Sequence, residues 1–386
     1  MSEPLVGVIG ATGTAGRAAV AALTDMTLWD AAGPPPRLRL GSRKREAADR
    51  LAEEAGHGAQ AAPVDIADEA SMRSFSQGCD VVLNCAGPSF VFGDRVARAV
   101  LSAGADFVDV SGYDPVHAQL SALDPPAFGR TAVLSAGIYP GLSTLLPRWL
   151  ARQGFDKPTG LTVHLGGLEA APEGSAADLV LSLRDGAVWG SSGSGMAAWR
   201  DGRRADHVLR AVQDTELPFY PDRVSLQPFL SREAERLATD LGLVTLDWYN
   251  VFAGSQTRMA FTRMRTGQPA GESELAEATQ AVMRASMLDL SGREPYYLMV
   301  YRMDGIAGGA PVSRTAVLRT SDTYQVTGMV GALAVRTLLA GALPPGAHYA
   351  GDVLDPEAAV TAARRLPAVG TLEVVEAGAD FEAGAL

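Results

Sequence analysis

The chain opens its first structural unit with the sequence Leu5-Val6-Gly7-Val8-Ile9-Gly10-Ala11-Thr12-Gly13-Thr14-Ala15-Gly16. The apolar run from Leu5 to Ile9 predicts a buried strand, and the Ala-rich stretch from Thr14 to Leu23 predicts a helix directly after it. Gly10, Gly13 and Gly16 have a GxxGxxG spacing, a variant of the glycine pattern of dinucleotide-binding turns. There the first glycine permits a tight turn, the second lets the backbone approach a pyrophosphate, and the third lets the helix pack closely on the strand.

The phosphates of a dinucleotide would lie on the backbone N–H groups at the start of this helix, where the helix dipole favours negative charge. The binding residues predicted in the turn are Gly10, Thr12, Gly13, Thr14, Ala15 and Gly16. A plain strand–turn–helix connection is the alternative interpretation. The strand before the turn, the helix after it and the strand–helix repeats beyond it favour dinucleotide binding.

Short apolar runs alternate with helix-like segments over the first 140 residues. The further predicted strands are Arg37–Leu40, Gln60–Val64, Val81–Cys85, Phe107–Val110 and Ala132–Ser135. This repetition predicts an α/β domain of Rossmann type, with a doubly wound parallel sheet, over residues 1–142. The later strand-like runs are separated by longer irregular stretches, which predicts a second, α+β domain with a largely antiparallel sheet over residues 143–321.

Composition excludes several classes of protein. The 386 residues are 47% apolar and 20% charged, which excludes disorder, and at roughly 150 residues per domain the length predicts two domains. A net charge of −11 argues against nucleic acid as a partner. No run reaches about 18 apolar residues and no secretory signal is evident, so neither a membrane nor export is expected. With only Cys79 and Cys85, the expected location is the cytoplasm. The five histidines lack metal-ligand spacing, so no metal is expected.

The end of the second predicted strand indicates which dinucleotide binds. NAD sites usually have an acidic residue there for the ribose 2′-OH, whereas this chain has Ser42, Arg43 and Lys44. Hydroxyl, guanidinium and ammonium groups suit a 2′-phosphate, so NADP(H) is predicted over NAD(H). The alternative is a solvated helix start with incidental charges, although cations are unfavourable at that position. Asp65 could bind the adenine amino group or cap the next helix.

Several stretches together resemble the saccharopine dehydrogenase-like oxidoreductases. They are Gly10–Gly16, Val81–Pro88, Phe107–Gly112, Ala136–Leu142, Gly193-Ser194 and Trp199–Gly202, with Gly331 in a late helix. The resemblance spans most of the chain and is strongest in residues 1–150. It implies a nicotinamide cofactor, a substrate domain with a mixed sheet, and a C-terminal helix that completes the Rossmann domain. Residues 322–386 are therefore expected to form a return helix and a tail that pack on the first domain.

The resemblance also implies a place for the nicotinamide. By carry-over, Asn84, Gly87 and Pro88, with Ala86 between them, should lie beside the nicotinamide and its ribose. The family more often has Glu at the position of Tyr113, and Phe or Leu followed by Asp at the positions of Ile138 and Tyr139. These departures argue against the usual amino-acid substrate.

Candidate catalytic residues cluster near the end of the fifth predicted strand, where open α/β sheets bind ligands. Tyr113 is the candidate proton donor, with Tyr139 as the alternative, and Asp109 is expected to orient Tyr113 or bind a substrate ammonium. The competing interpretation is structural: Asp114 caps a helix, His117 faces solvent and Tyr113 packs.

These patterns together predict a cytoplasmic NADP(H)-dependent oxidoreductase that moves a hydride to or from a small organic substrate. The leading chemistry is C=N reduction or amine oxidation of the saccharopine dehydrogenase type, with specialised metabolism as one setting for it. Two alternatives remain open: a trans-acting enoyl reductase acting on C=C, and an NADP(H)-binding sensor without turnover. The expected partners are the small-molecule substrate and, as one option, a second copy of the chain in a homodimer.

Overall fold

The structure is a computed structural model that describes residues 3–29, 33–112, 114–122, 129–184 (the backbone alone for 182–184), 196–264 and 271–376. The chain divides into two compact units. The first contains Met1–Leu145 and Thr323–Leu366, and the second contains Leu146–Asp322 and Pro367–Leu386. Secondary structure elements are numbered along the chain.

The first unit contains a seven-stranded parallel sheet. Its strands are β1 (Leu5–Ile9), β2 (Arg37–Ser42), β3 (Gln60–Pro63), β4 (Val81–Asn84), β5 (Asp106–Asp109), β6 (Thr131–Leu134) and β15 (Gly346–Tyr349). Their order across the sheet is β15–β6–β5–β4–β1–β2–β3, and every pair is parallel. All residues of β4 and β6 are buried, as expected for strands whose sheet is covered on both faces. This arrangement confirms the predicted Rossmann-type sheet.

Helices follow most of these strands. They are α1 (Thr14–Thr24), α2 (Met26–Trp29), α3 (Arg45–Ala55), α4 (Glu69–Ser76), α5 (Ser89–Phe92), α6 (Arg95–Ser102), α7 (Asp114–Ser121), α13 (Thr323–Leu339), α14 (Ala350–Val353) and α15 (Pro356–Ala363). The helix α8 (Leu142–Ala151) spans the point at which the chain divides between the units.

The late helix α13 packs on α1, as the resemblance implied. Gly328 makes this close approach possible, because a Cβ atom at that position would lie only 2.4 Å from the carbonyl carbon of Ala18. A Cβ at Gly331 would lie 3.3 Å from the side chain of Leu83 on β4. The C-terminal segment therefore completes the first unit by covering the sheet beside α1.

The second unit contains a nine-stranded mixed sheet. Its strands are β7 (Lys157–Leu168), β8 (Ala198–Arg200), β9 (Arg203–Ala205), β10 (Val212–Thr215), β11 (Val224–Pro228), β12 (Thr245–Phe252), β13 (Tyr296–Ala307), β14 (Ala310–Thr320) and β16 (Val369–Glu376). The main order is β10–β11–β12–β7–β13–β14–β16, with β8 paired to β12 and β9 to β8. Among these described strands, β12 and β7 are the one parallel pair, which confirms a largely antiparallel sheet.

The remaining helices belong to the second unit: α9 (Glu173–Arg184), α10 (Arg232–Asp240), α11 (Ser255–Met264) and α12 (Glu272–Leu290). Its core lies on the sheet and includes Leu298, Val300 and Val317 from β13 and β14, together with Tyr220 from a loop. Within the described part of the chain, no helix has the length and apolar character that crossing a bilayer requires.

The tail differs from the expectation that all of residues 322–386 pack on the first domain. Its strand β16 pairs antiparallel with β14, with Leu372 opposite Leu318 and Val374 opposite Ala316, and so belongs to the second sheet. The edge of β14 offers unpaired backbone N–H and C=O groups, and an extended segment satisfies them by adding a strand. Residues 323–366 belong to the first unit.

Candidate functional site

The glycine turn after β1 requires glycine at its first position. Gly10 has φ +74°, a conformation that L-residues with side chains rarely adopt, and an added Cβ would lie 2.9 Å from the backbone nitrogen of Ala86. The backbone nitrogen of Gly13 donates to the carbonyl oxygen of Gly10 at 3.0 Å and closes the turn. The turn therefore lies directly against the residues that follow β4.

Gly16 and Gly13 have different surroundings. A Cβ at Gly16 would lie 2.1 Å from the carbonyl oxygen of Gly10 and 2.7 Å from the Cα of Ala11, so this glycine lets α1 pack against the turn. A Cβ at Gly13 would meet a single atom within 4 Å, the carbonyl oxygen of Gly10 at 3.3 Å. Gly13 is exposed, so its backbone is open to a ligand.

The N-terminus of α1 has the chemistry of an anion site. An α-helix leaves its first N–H groups without acceptors inside the helix, and its dipole places partial positive charge there. Gly13 is the N-cap of this 11-residue helix, and no side chain of the described residues accepts a capping hydrogen bond. Thr14 is exposed and Ala15 half-buried. An open backbone at Gly13 and an uncapped helix start fit the pyrophosphate of a dinucleotide.

The residues predicted to bind a 2′-phosphate lie at the end of the neighbouring strand. β2 ends at Ser42 and α3 begins at Arg45, so Arg43 and Lys44 form the connection, and both are exposed. β2 pairs with β1, and the backbone nitrogen of Ala11 donates to the carbonyl oxygen of Gly41 at 3.1 Å. The glycine turn and the cationic connection therefore share one edge of the sheet.

Asp65 follows β3 at the same edge and is exposed. Its Oδ1 accepts a hydrogen bond from the backbone nitrogen of Ala67 at 3.0 Å. The N-cap of α4 is a different residue, Asp68, whose Oδ1 accepts from Ala70 at 2.9 Å. Asp65 therefore shapes the turn before the helix and does not cap it.

Asn84 and Asp109 join the ends of β4 and β5. The Nδ2 of Asn84 donates to Oδ2 of Asp109 at 3.0 Å and to the carbonyl oxygen of Ala86 at 3.1 Å. Oδ1 of Asn84 accepts from the backbone nitrogen of Ala86 at 3.1 Å, and Oδ1 of Asp109 accepts from that of Ser111 at 2.8 Å. Both side chains are buried. They therefore fix two turns: the one that leads to exposed Gly87 and half-buried Pro88, and the one at Ser111.

Burial raises the pKa values of two groups here, the carboxyl of Asp109 and the thiol of Cys85. Loss of hydration raises the pKa of Asp109 to about 6, while hydrogen bonds from Asn84, Ser111 and Gly112 oppose that rise. Desolvation, and secondarily the charge of Asp109, raises the pKa of the Cys85 thiol. Cys85 therefore stays a thiol at neutral pH, a state unsuited to nucleophilic attack.

The structure describes part of the candidate catalytic cluster near the end of β5. Tyr113 lies outside the described residues. Asp114 begins α7, and its Oδ1 accepts from the hydroxyl of Tyr349 at 2.7 Å. The ring of His117 stacks on that of Tyr349 with centroids 4.1 Å apart, so this histidine is half-buried and does not simply face solvent. Sequence reasoning missed Tyr349, because nothing in the local sequence links it to α7.

Tyr139, the alternative proton donor, lies half-buried in the turn between β6 and α8. The backbone nitrogen of Gly137 donates to the carbonyl oxygen of Pro140 at 3.1 Å, and that of Ile138 donates to Oγ1 of Thr327 at 3.3 Å. A Cβ at Gly137 would lie 2.6 Å from the carbonyl oxygen of Val110, so this turn packs directly on the segment after β5.

Gly193 and Ser194, which contributed to the family resemblance, lie outside the described residues. In the parts of the chain that are described, His, Cys, Asp and Glu side chains form no group of three suited to holding a metal ion.

The sheet, the open glycine turn and the uncapped helix start define the first unit as an NAD(P)-binding domain of Rossmann type. Residues 6–132 match the family model described as "Saccharopine dehydrogenase NADP binding domain", and this domain of the chain belongs to that family. The family predicted by resemblance is confirmed.

Comparison with solved structures extends the likeness to the whole fold. The chain is similar to apo histidine-tagged saccharopine dehydrogenase (L-Glu forming) from Saccharomyces cerevisiae, with a TM-score of 0.65 and 14% identity, over 97% of this chain and 100% of that one. A weaker likeness, with a TM-score of 0.44 and 15% identity, is to C. glutamicum DAP dehydrogenase in complex with DAP, over 93% and 96% of the two chains. The first of these likenesses shows that the chain shares the fold of that saccharopine dehydrogenase.

One curated relative matches over a shorter segment. A protein of Caenorhabditis elegans named "Lipid droplet localized protein" is 30% identical over 115 residues. The match covers 29% of this chain and only 27% of the nematode protein.

Proposed function

We propose that this chain is an NADP(H)-dependent oxidoreductase that transfers a hydride to or from a small organic substrate by reducing C=N or oxidising the corresponding amine. One observation carries the proposal: an open glycine turn, an uncapped helix start and an exposed Arg43-Lys44 pair lie at one edge of the parallel sheet. In open α/β sheets, the carboxyl edge of the strands is where ligands bind.

The preference for NADP(H) rests on charge. Arg43 and Lys44 are exposed, and an acidic partner for a ribose 2′-OH is missing from positions 41–45, where such a residue usually stands in NAD-binding proteins. A guanidinium binds phosphate oxygens in a bidentate manner, and an ammonium adds a compact positive charge. The description of the matching family as NADP-binding supports the same choice.

The choice of C=N chemistry rests on the resemblance to the saccharopine dehydrogenase-like family, for which C=N reduction or the reverse amine oxidation is the leading chemistry. When bound, the reduced nicotinamide supplies the hydride, so the chain must hold the substrate and supply a proton. Tyr139 and Tyr113 are the candidate donors, since a phenol O–H can donate a proton to the reacting group. Asp109 already accepts hydrogen bonds from Asn84 and Ser111. We therefore assign it a positioning role for the two turns and no proton transfer.

Cofactor binding is tested first, by titrating the protein with NADPH and NADH and following nicotinamide fluorescence. We expect NADPH to bind at least tenfold more tightly, and the difference to shrink as salt is added. Arg43→Asp should reduce the difference in affinity between NADPH and NADH. The matched control is Arg50→Asp, at an exposed position within α3, which should leave that difference unchanged. Equal affinities, or tighter NADH binding, would overturn the NADP(H) assignment.

The reaction is tested next, with panels of amines, of carbonyl–amine pairs that form imines, and of enones. Consumption of NADPH with an imine panel, or its production from NADP⁺ with an amine, is the expected result. Turnover of enones alone would replace C=N by C=C reduction. Tight NADPH binding without turnover of any panel would favour a sensor.

A further inference from the structure

Two hydroxyl groups link the glycine turn to the end of β2. Oγ1 of Thr12 lies 3.0 Å from Oγ of Ser42, so the two side chains share a hydrogen bond. Thr12 is half-buried, and Ser42 is 7% exposed. Oγ of Ser42 also accepts a hydrogen bond from the backbone nitrogen of Lys44 at 3.1 Å. A residue of the pyrophosphate turn is thus joined, through one serine, to the backbone that presents Arg43 and Lys44.

We propose that Thr12 determines selectivity for NADP(H) over NAD(H) by acting through Ser42. The inference rests on the proposed function, because it concerns the same cofactor site. Thr12 lies in the turn proposed to bind the pyrophosphate, and both cofactors contain that pyrophosphate. Its hydroxyl nevertheless contacts the residue that begins the 2′-phosphate segment, which only NADP(H) uses.

The hydrogen-bonding capacity of Ser42 explains how this works. A serine hydroxyl has one proton to donate and two lone pairs that accept. One lone pair accepts from the N–H of Lys44. When Thr12 donates to the second, the proton of Ser42 is left to point at a phosphate oxygen, and the oxygen between the two donors is held in place. Without the Thr12 hydroxyl, Ser42 is free to rotate and the Arg43-Lys44 segment loses one of its anchors.

The backbone around the pair is independently fixed. The Ala11 nitrogen donates to the Gly41 carbonyl oxygen at 3.1 Å, so removing the Thr12 hydroxyl leaves the strand pairing intact. The effect should therefore be largest for the 2′-phosphate. NAD⁺ carries a neutral 2′-OH there, which gains less from the Ser42 proton than a charged phosphate oxygen does.

The test measures dissociation constants for NADP⁺ and NAD⁺ by calorimetry, on the full chain and without turnover. Loss of a hydrogen bond worth about 1 kcal/mol predicts that Thr12→Val weakens NADP⁺ binding about five- to tenfold more than it weakens NAD⁺ binding. Thr12→Ser keeps the hydroxyl and should restore NADP⁺ affinity. The control is Thr24→Val, whose hydroxyl bonds to the carbonyl oxygens of Val20 and Ala21 at the other end of α1. It should change neither constant.

A double-mutant cycle tests whether Thr12 acts through Ser42. Once Ser42→Ala has removed the shared partner, adding Thr12→Val should change NADP⁺ affinity by less than about twofold. Additive losses, or equal losses for NADP⁺ and NAD⁺, would overturn the inference and leave Thr12 as an ordinary residue of the turn. Should Thr12→Val unfold, Thr12→Ala is measured in its place.

Measurements on the wild-type protein distinguish failure of the NADP(H) assignment from failure of the inference about Thr12. If it prefers NAD⁺ or binds neither cofactor, both the NADP(H) assignment and this inference are overturned. If it prefers NADP⁺ and Thr12→Val leaves the ratio of the two constants unchanged, only this inference fails.

Discussion

Replacing Gly13 or Gly16 by valine should separate cofactor binding from folding within a single turn. At Gly13 the backbone is extended (φ −75°, ψ 171°), so any residue adopts it without strain, and an added Cβ meets a single atom, at 3.3 Å. At Gly16 an added Cβ would meet backbone atoms at 2.1 and 2.7 Å, and backbone cannot move aside as a flexible side chain does. The same substitution should therefore impair mainly cofactor binding at position 13 and mainly folding at position 16.

The expected magnitudes follow from these contacts. Valine is a poorer N-cap than glycine, so Gly13→Val should lower the free energy of unfolding by about 1 kcal/mol, or about 2–4 °C in Tm. Its side chain would occupy the approach to the helix N–H groups. If two charge-assisted hydrogen bonds to the pyrophosphate are lost, at about 1.5–3 kcal/mol each, affinity for NADPH falls more than about 100-fold. Gly16→Val should destabilise the fold by at least about 3 kcal/mol.

The assay combines thermal unfolding followed by circular dichroism with NADPH fluorescence titration. Gly370→Val is the matched control, since a Cβ at that strand residue meets nothing within 4 Å. It should alter neither Tm nor affinity appreciably. A folded Gly13→Val protein that binds NADPH as tightly as wild type would refute the pyrophosphate role of the turn. A Gly16→Val protein with the wild-type Tm would refute the packing argument.

Four further predictions concern other positions. Arg43→Glu should weaken the salt dependence of the NADPH-over-NADH preference, because Lys44 remains as a cation in the connection; titration at low and high ionic strength measures it, and an unchanged salt dependence would contradict a role for Arg43. Tyr139→Phe and Tyr113→Phe, compared in single-turnover assays, should show a fall in kcat of about 10²–10⁴-fold for whichever tyrosine donates the proton, with NADPH affinity unchanged; two unaffected rates would remove both. Because burial raises the pKa of Asp109 to about 6, the folded state holds its proton more tightly than the unfolded chain. Its contribution to stability, about 3 kcal/mol, should therefore be lost as pH rises from about 4 to 6, and Asp109→Asn should abolish that part of the Tm–pH profile. Gly328→Val should force α13 away from α1 and lower Tm, and an unchanged Tm would contradict the close helix contact.

The sequence alone determined the features that depend on neighbouring residues. The strand, glycine turn and helix of residues 5–23 are consecutive, so their apolar pattern and glycine spacing carry the fold and the phosphate-binding expectation together. The residues from Gly41 to Arg45 are also consecutive, and they predict a cationic connection that the structure places at the same sheet edge. The return of α13 was also foreseen, through the resemblance to a family and not through the pattern of its own residues.

Only the tertiary structure decided which distant side chains meet. Asn84 and Asp109 are 25 residues apart, Thr12 and Ser42 are 30 apart, and Asp114 and Tyr349 are 235 apart. Strand order and register bring each pair together, and neither is encoded in the spacing of the residues themselves. For the same reason the pairing of β16 with β14 was missed: a short extended segment joins whichever sheet edge the packed chain leaves open to it.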